Sequence, residues 1–86
     1  MGNIRVLLAD DHAVVREGLK ALIEGAAGLE VVGEAADGLA AVELAARLDP
    51  DVVVVDVSMP GLTGAQVTAR LRGLRPDSRV LALTVH

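Results

Sequence analysis

The sequence has no cysteine, no phenylalanine, tyrosine or tryptophan, and a single lysine, Lys20. Without cysteine there is no disulfide framework, no thiolate metal site and no cysteine nucleophile. Without aromatic rings the core must be aliphatic, and there is no platform on which bases could stack. A long apolar run is missing too. The run from Ile4 to Ala9 is broken by Asp10 and Asp11 well before signal-peptide or membrane-spanning length, so the expected location is the cytoplasm. Nor is there an excess of positive charge. The net charge is −4, which argues against a phosphate-contacting basic face and against direct DNA binding by this chain. The late arginines Arg70, Arg72, Arg75 and Arg79 read as a solvated helix face and the loop after it. What is present is 52% apolar residues over 86 positions, enough for one small folded domain and too much for a disordered tail.

The apolar residues fall into alternating strand and helix patterns. Ile4–Ala9 reads as a buried strand ended by two acids. Val15, Leu19, Leu22 and Ile23 share one face of a helix, which Gly25 and Gly28 stop. Glu30–Ala35 reads as a second strand, near an edge because it is less apolar. Asp37 can cap a second helix with a stripe of Ala41, Val42, Ala45 and Leu48, ended by Asp49-Pro50. Val52–Val55 is the clearest strand: four β-branched residues without alternation imply burial on both faces, as in a parallel sheet. Asp56 closes it. After the loop at Ser58-Met59-Pro60-Gly61, Thr63 and Gln66 have capping-box spacing for a third helix buried through Val67, Leu71 and Leu74. Arg79–Thr84 is a fourth strand. The order β-α-β-α-β-α-β with short connections predicts an α/β fold, a parallel sheet with helices on both faces.

In such a sheet, ligands bind at the carboxyl ends of the strands. Asp10 and Asp11 follow the first strand, Asp56 ends the third and Thr84 the fourth. If those strands are neighbours, three carboxylates and a hydroxyl converge. Three anions so close repel one another unless a cation sits among them. An all-oxygen donor set suits Mg²⁺, which often shares its shell with a phosphate. A carboxylate beside that metal can attack phosphorus and form an aspartyl phosphate, with the protein supplying position and charge neutralisation. Taken singly these residues say less. Asp11 alone reads as the N-cap of the first helix, and Asp56 and Thr84 alone as ordinary strand ends. The combination carries the reading.

The ordered set Ala9-Asp10-Asp11-His12, Val15-Arg16-x-Gly18-Leu19, Val31-Val32-Gly33-Glu34-Ala35, Asp37-Gly38, Asp51–Asp56 with Ser58-Met59-Pro60-Gly61 and Gly64, and Leu83-Thr84 resembles a bacterial response-regulator receiver domain of the NarL/FixJ (LuxR-type) subfamily. The resemblance runs along essentially the whole chain. It implies a flavodoxin-like (CheY-like), doubly wound parallel sheet, here β1-α1-β2-α2-β3-α3-β4 in strand order 2-1-3-4, with residues 1–86 as the N-terminal portion of the receiver. It implies phosphoryl transfer from a histidine kinase to Asp56. Asp11 would hold Mg²⁺ directly, Asp10 largely through water, and the main-chain carbonyl of Ser58 would be a further ligand. Thr84 would be the switch hydroxyl. Members usually carry a C-terminal helix-turn-helix that binds DNA. Such a domain is a regulatory phospho-acceptor, catalysing only its own phosphorylation and dephosphorylation.

The family pattern continues beyond the positions matched here, through a fourth helix, a fifth strand ending in a Lys that pairs with the phosphoryl group, and a fifth helix. Lys20 lies on the first helix and cannot take that role. The other reading is therefore a receiver-like interaction module that accepts phosphate poorly. The fourth strand is expected to be an open apolar edge through which the chain self-associates. Three rivals fail on residues. An aspartate-nucleophile phosphatase of the haloacid dehalogenase kind needs an Asp where Ser58 stands. A P-loop NTPase needs a Gly-rich loop ending in Lys-Ser/Thr. A cobalamin-binding module needs a Gly where Val15 stands, which leaves His12 as a helix-start residue at the pocket rim.

Overall fold

A computed structural model describes residues 3–56, 64–74 and 79–83. The elements follow the expected alternation: β1 (Ile4–Ala9), α1 (Ala13–Glu24), β2 (Leu29–Ala35), α2 (Gly38–Leu48), β3 (Val52–Asp56), α3 (Gly64–Leu74) and β4 (Arg79–Leu83). The four strands form one parallel sheet in the order β2-β1-β3-β4. The two central strands carry the most continuous apolar runs, because both of their faces must be dry.

Alternation along those strands sorts the core into two layers. Leu7, Ala9, Val53 and Val55 point to the side of α2 and α3, where they meet Ala41, Ala45, Val67 and Leu71. Val6, Leu8 and Val54 point to the side of α1, where Leu19 and Ile23 pack. Each fully buried Leu or Val contributes roughly 1.5–3 kcal/mol of transfer free energy. The alanines of α2 let that helix approach the sheet closely. Gly33 serves the same end, since a Cβ there would lie 2.7 Å from Leu48 Cδ1. The pairing of β1 with β2 jumps from Val6↔Val31 to Leu7↔Gly33, a bulge that leaves Val32 as the extra residue. As expected, β2 is an edge strand.

Two local expectations change. Leu22 does not share the half-buried stripe of α1; it is 74% exposed. It lies about 60° from the centre of the Val15–Leu19–Ile23 stripe at 100° per residue, on a flank that no described element covers. Among the described residues, the α1 side of the sheet is thinly covered. Ile4, Val6, Ile23, Leu29, Val52, Val54 and Leu81 line an apolar groove of about 240 Å³. The second change is at the start of α1: the N-cap is His12, not Asp11, and it makes no side-chain capping bond. Asp37 caps α2 as expected, its side chain accepting from the Ala40 N–H at 2.8 Å.

The amino ends of β1 and β3 are clamped by polar groups. Arg5 N–H donates to Asp51 Oδ2 at 2.8 Å, Asp51 N–H donates back to the Arg5 carbonyl at 2.9 Å, and the Arg5 guanidinium reaches the Asp49 carbonyl at 2.8 Å. From that clamp β1 and β3 run in register to Ala9↔Val55.

Candidate metal centre at the carboxyl end of the sheet

One residue past the Ala9↔Val55 pair, Asp10 and Asp56 leave neighbouring central strands together. Asp10 is still held as part of the sheet, because its N–H donates to the Ala35 carbonyl of β2 at 3.0 Å. The two carboxylates are 3% and 1% exposed. Burial at this depth is unusual for an acid and costs free energy that partners must offset.

The chain then turns into α1 through Asp11 and His12, both exposed. The His12 N–H donates to Asp10 Oδ1 at 2.7 Å, the local turn that an Asp side chain makes with the backbone two residues on. That bond fixes the Asp10 carboxylate and aims the His12 ring back over the strand ends. His12 Nδ1 lies 3.2 Å from Asp10 Oδ1, 3.0 Å from Asp11 Oδ1 and 3.6 Å from Asp56 Oδ2. The hydrogen bond to Asp10 raises the imidazole pKa above its ordinary value, and the negative charge of Asp11 adds to it; desolvation opposes both, and the charges of Asp10 and Asp56 contribute less. Ligating atoms of Asp10, Asp11, His12 and Asp56 all lie within 4.8 Å of one another.

The sheet thus brings together all three carboxylates singled out in the sequence. Ser58 and Thr84 lie outside the described residues. Two side chains that the sequence reading did not place in the site belong to its surroundings. His12 is at the rim, as expected, yet its Nδ1 faces all three acids; the Asp-Asp-His adjacency was the available signal. Arg16 donates through Nη1 to the Asp10 carbonyl at 2.7 Å and through Nε to Glu34 Oε1 at 3.2 Å. Lys20 reaches Glu34 Oε2 at 3.3 Å. In the sequence Arg16 is marked only as a residue of the first helix lying off its apolar face. A shallow charged depression of about 290 Å³ lies along α1, lined by Glu17, Lys20, Ala21, Glu24 and Glu34, and none of the clustered side chains lines it.

Three carboxylates, two of them buried, form a donor set that fits a hard divalent cation such as Mg²⁺. The concentration of negative charge supplies the reason to bind one.

Comparison with known proteins agrees with this geometry. Residues 6–86 match the response regulator receiver domain. The chain is 45% identical over 82 residues to the response regulator GacA of Pseudomonas viridiflava, covering 95% of this chain and 38% of that protein. It is 44% identical over 81 residues to the transcriptional regulatory protein LiaR of Bacillus subtilis, covering 94% and 38%. Among solved structures, the signal receiver domain of the Mycobacterium tuberculosis response regulator NarL superposes with a TM-score of 0.94 at 42% identity, over 100% of this chain and 69% of that one. A LuxR-family response regulator from Aurantimonas gives 0.92 at 41% identity, over 99% and 61%. The chain therefore spans well under half the length of these curated relatives. It belongs to the receiver domains of two-component response regulators, with relatives of the NarL/LuxR type.

Proposed function

We propose that Asp56 is the phospho-acceptor of this receiver and that Asp10 and Asp11 hold Mg²⁺ beside it. The observation that carries the reading is the placement of Asp56: a carboxylate 1% exposed, at the end of a central strand, with two further carboxylates grouped around it. In the transfer, an Asp56 oxygen forms a bond to phosphorus as the bond from phosphorus to the donor breaks. The donor is the phosphohistidine of a sensor histidine kinase or, in vitro, acetyl phosphate, which leaves as acetate. Asp10 and Asp11 position the cation, and the Asp10–His12 turn fixes the Asp10 carboxylate. Bound Mg²⁺ supplies neutralisation of charge on the phosphoryl oxygens. The Ser58 carbonyl as a further ligand and Thr84 as the switch hydroxyl complete the reading, as the family resemblance implies.

Residues 1–86 act in this reading as the front portion of a cytoplasmic receiver. In the longer protein the receiver controls a C-terminal helix-turn-helix domain that carries DNA binding. Support comes from relatives named transcriptional regulators and from the related RcsB, whose structure is that of a DNA complex. Among the described residues no helix is long and apolar enough to cross a membrane. The chain alone self-associates through β4, the second edge of the sheet.

Intact-mass measurement after incubation with acetyl phosphate and Mg²⁺ tests the central claim. The expected result is one base-labile phosphoryl adduct, missing from Asp56→Asn. An adduct that persists in Asp56→Asn refutes the assignment. Acceptance is expected to be slower than in a version extended through the family's fifth helix, because a lysine opposite the phosphoryl oxygens lowers the barrier there by several kcal/mol. Equal rates would remove that role for the lysine.

A further inference from the structure

We propose that His12 is itself a metal ligand, and that it tilts this site away from Mg²⁺ toward the cations that favour a nitrogen donor: Co²⁺, Ni²⁺ and Zn²⁺. The inference rests on the reading that Asp10, Asp11 and Asp56 form a cation site. It adds a fourth ligand, which the resemblance does not assign.

The distances from His12 Nδ1 to the acids are close to those between neighbouring ligands of one cation. Metal–oxygen and metal–imidazole bonds of about 2.1 Å put neighbouring ligand atoms about 3.0 Å apart in an octahedron and about 3.4 Å apart in a tetrahedron. His12 Nδ1 stands 3.0, 3.2 and 3.6 Å from one oxygen each of Asp11, Asp10 and Asp56. The four ligating atoms lie within 4.8 Å of one another, against about 4.2 Å for atoms on opposite sides of such a shell, so the acids need only close in slightly on a cation. The ring faces all three acids rather than one. The ring is also held there. The His12 N–H bond to Asp10 Oδ1 fixes the backbone, and the His12 carbonyl accepts from the Arg16 N–H to begin α1. A cation bound among the acids would take the place of the Nδ1 proton that otherwise faces Asp10, leaving the ring proton on Nε2 at the outer side, the tautomer a ligating Nδ1 requires.

Donor chemistry sets the preference. Mg²⁺ takes oxygen and gains little from imidazole, whereas cobalt, nickel and zinc bind it strongly. One neutral nitrogen among three carboxylates therefore separates the two groups of metals without changing the charge of the site.

Replacing His12 removes no capping bond, since its side chain makes none, so His12→Ala and His12→Asn should fold. The second histidine, His86, is replaced by Ala throughout to remove the other imidazole. Calorimetric titration of the untagged chain with Ni²⁺ and with Mg²⁺ gives the ratio of the two affinities. His12→Ala should lower Ni²⁺ affinity by about tenfold or more and change Mg²⁺ affinity by less than about threefold. With Co²⁺, proton NMR should show one strongly shifted, exchangeable imidazole N–H that disappears in His12→Ala. Equal losses for both metals, no loss for Ni²⁺, or a gain for Mg²⁺ alone would each overturn the role of His12. Asp11→Asn and Asp56→Asn separate the two levels of the argument. If they leave Mg²⁺ affinity unchanged, the cation site itself is wrong; if they weaken it while His12→Ala leaves the metal ratio intact, only the fourth ligand is.

Discussion

Arg16 Nη1 donates to the main-chain carbonyl of Asp10 at 2.7 Å, so the first turn of α1 is fastened to the strand end that carries a buried acid. The Arg16 side chain is 22% exposed, and its Nε also meets Glu34, itself 32% exposed. The exposed ion pair is worth little, but the charged bond to a partly buried carbonyl is worth about 1.5–3 kcal/mol. Arg16→Met keeps the apolar stem and removes the donors. It should lower stability in urea by about 1–2 kcal/mol and weaken divalent binding a few-fold, because Asp10 loses its anchor. A variant as stable as the parent would show that the bond carries nothing.

Asp56 is buried beside two other carboxylates, which costs stability when no cation is bound. In chelator-treated samples Asp56→Asn should raise the unfolding free energy by about 1 kcal/mol or more, the order expected when one of several close like charges is removed. The same variant should lose most of the stabilisation that added Mg²⁺ gives the parent. A metal-free Asp56→Asn that unfolds at lower urea than the parent would contradict this.

Stability should also depend on pH through His12. Its pKa is raised in the folded chain, chiefly by the bond to Asp10 and then by the charge of Asp11. Protonated imidazole thus favours the folded state. The contribution is fully present below the ordinary histidine pKa of 6.5 and is lost as pH rises through the raised, folded value. Without divalent cations, the urea midpoint should therefore fall as pH rises from below 6.5 through the raised, folded value, and His12→Asn should flatten the curve over that window. A midpoint that rises with pH in the parent and not in the variant would reverse the sign and refute the account.

The edge strand β4 presents Leu81 at 55% exposure on the side of the apolar groove. An open apolar edge recruits a second strand, so the 86-residue chain should be dimeric or larger by light scattering at tens of micromolar. Leu81→Asp should shift it toward monomer, and Asp at the exposed Arg72 of α3 should not. A monomeric parent chain would end the argument.

Much of this was legible before any coordinates. Four successive valines have one reasonable home in an α/β chain, a strand dry on both faces, and Asp37 three residues before Ala40 reads directly as a cap. Asp10, Asp11 and Asp56 emerged because three acids at strand ends make chemical sense only together. What escaped the sequence depends on which neighbour stands opposite. Leu22 is apolar and at helical spacing, yet no described element covers its flank. Asp11 is a good capping residue that falls one position too early, since the turn made by Asp10 and His12 sets where α1 begins. The bulge at Val32 had a signal in the neighbouring Gly33, a lone glycine inside a strand, but one that does not separate a bulge from a close approach of the backbone, and Arg16 looks like any helix arginine until the Asp10 carbonyl is placed beside it.

The valine run of β3 has a further consequence. Val52, Val53, Val54 and Val55 are chemically identical, so the strand interior is a ruler without markings: sliding β3 by one step past β1 exchanges one valine for the next and leaves the apolar packing almost unchanged. The graduation is supplied at the two ends. Asp51 must sit against the Arg5 backbone, and Asp56 must emerge beside Asp10. A slip in either direction drags one carboxylate into the apolar interior or out of its polar surroundings. The acid of the proposed phospho-acceptor site is therefore also a stop that tells a featureless strand where to halt, and the chemistry of this receiver and the fidelity of its folding draw on the same side chain.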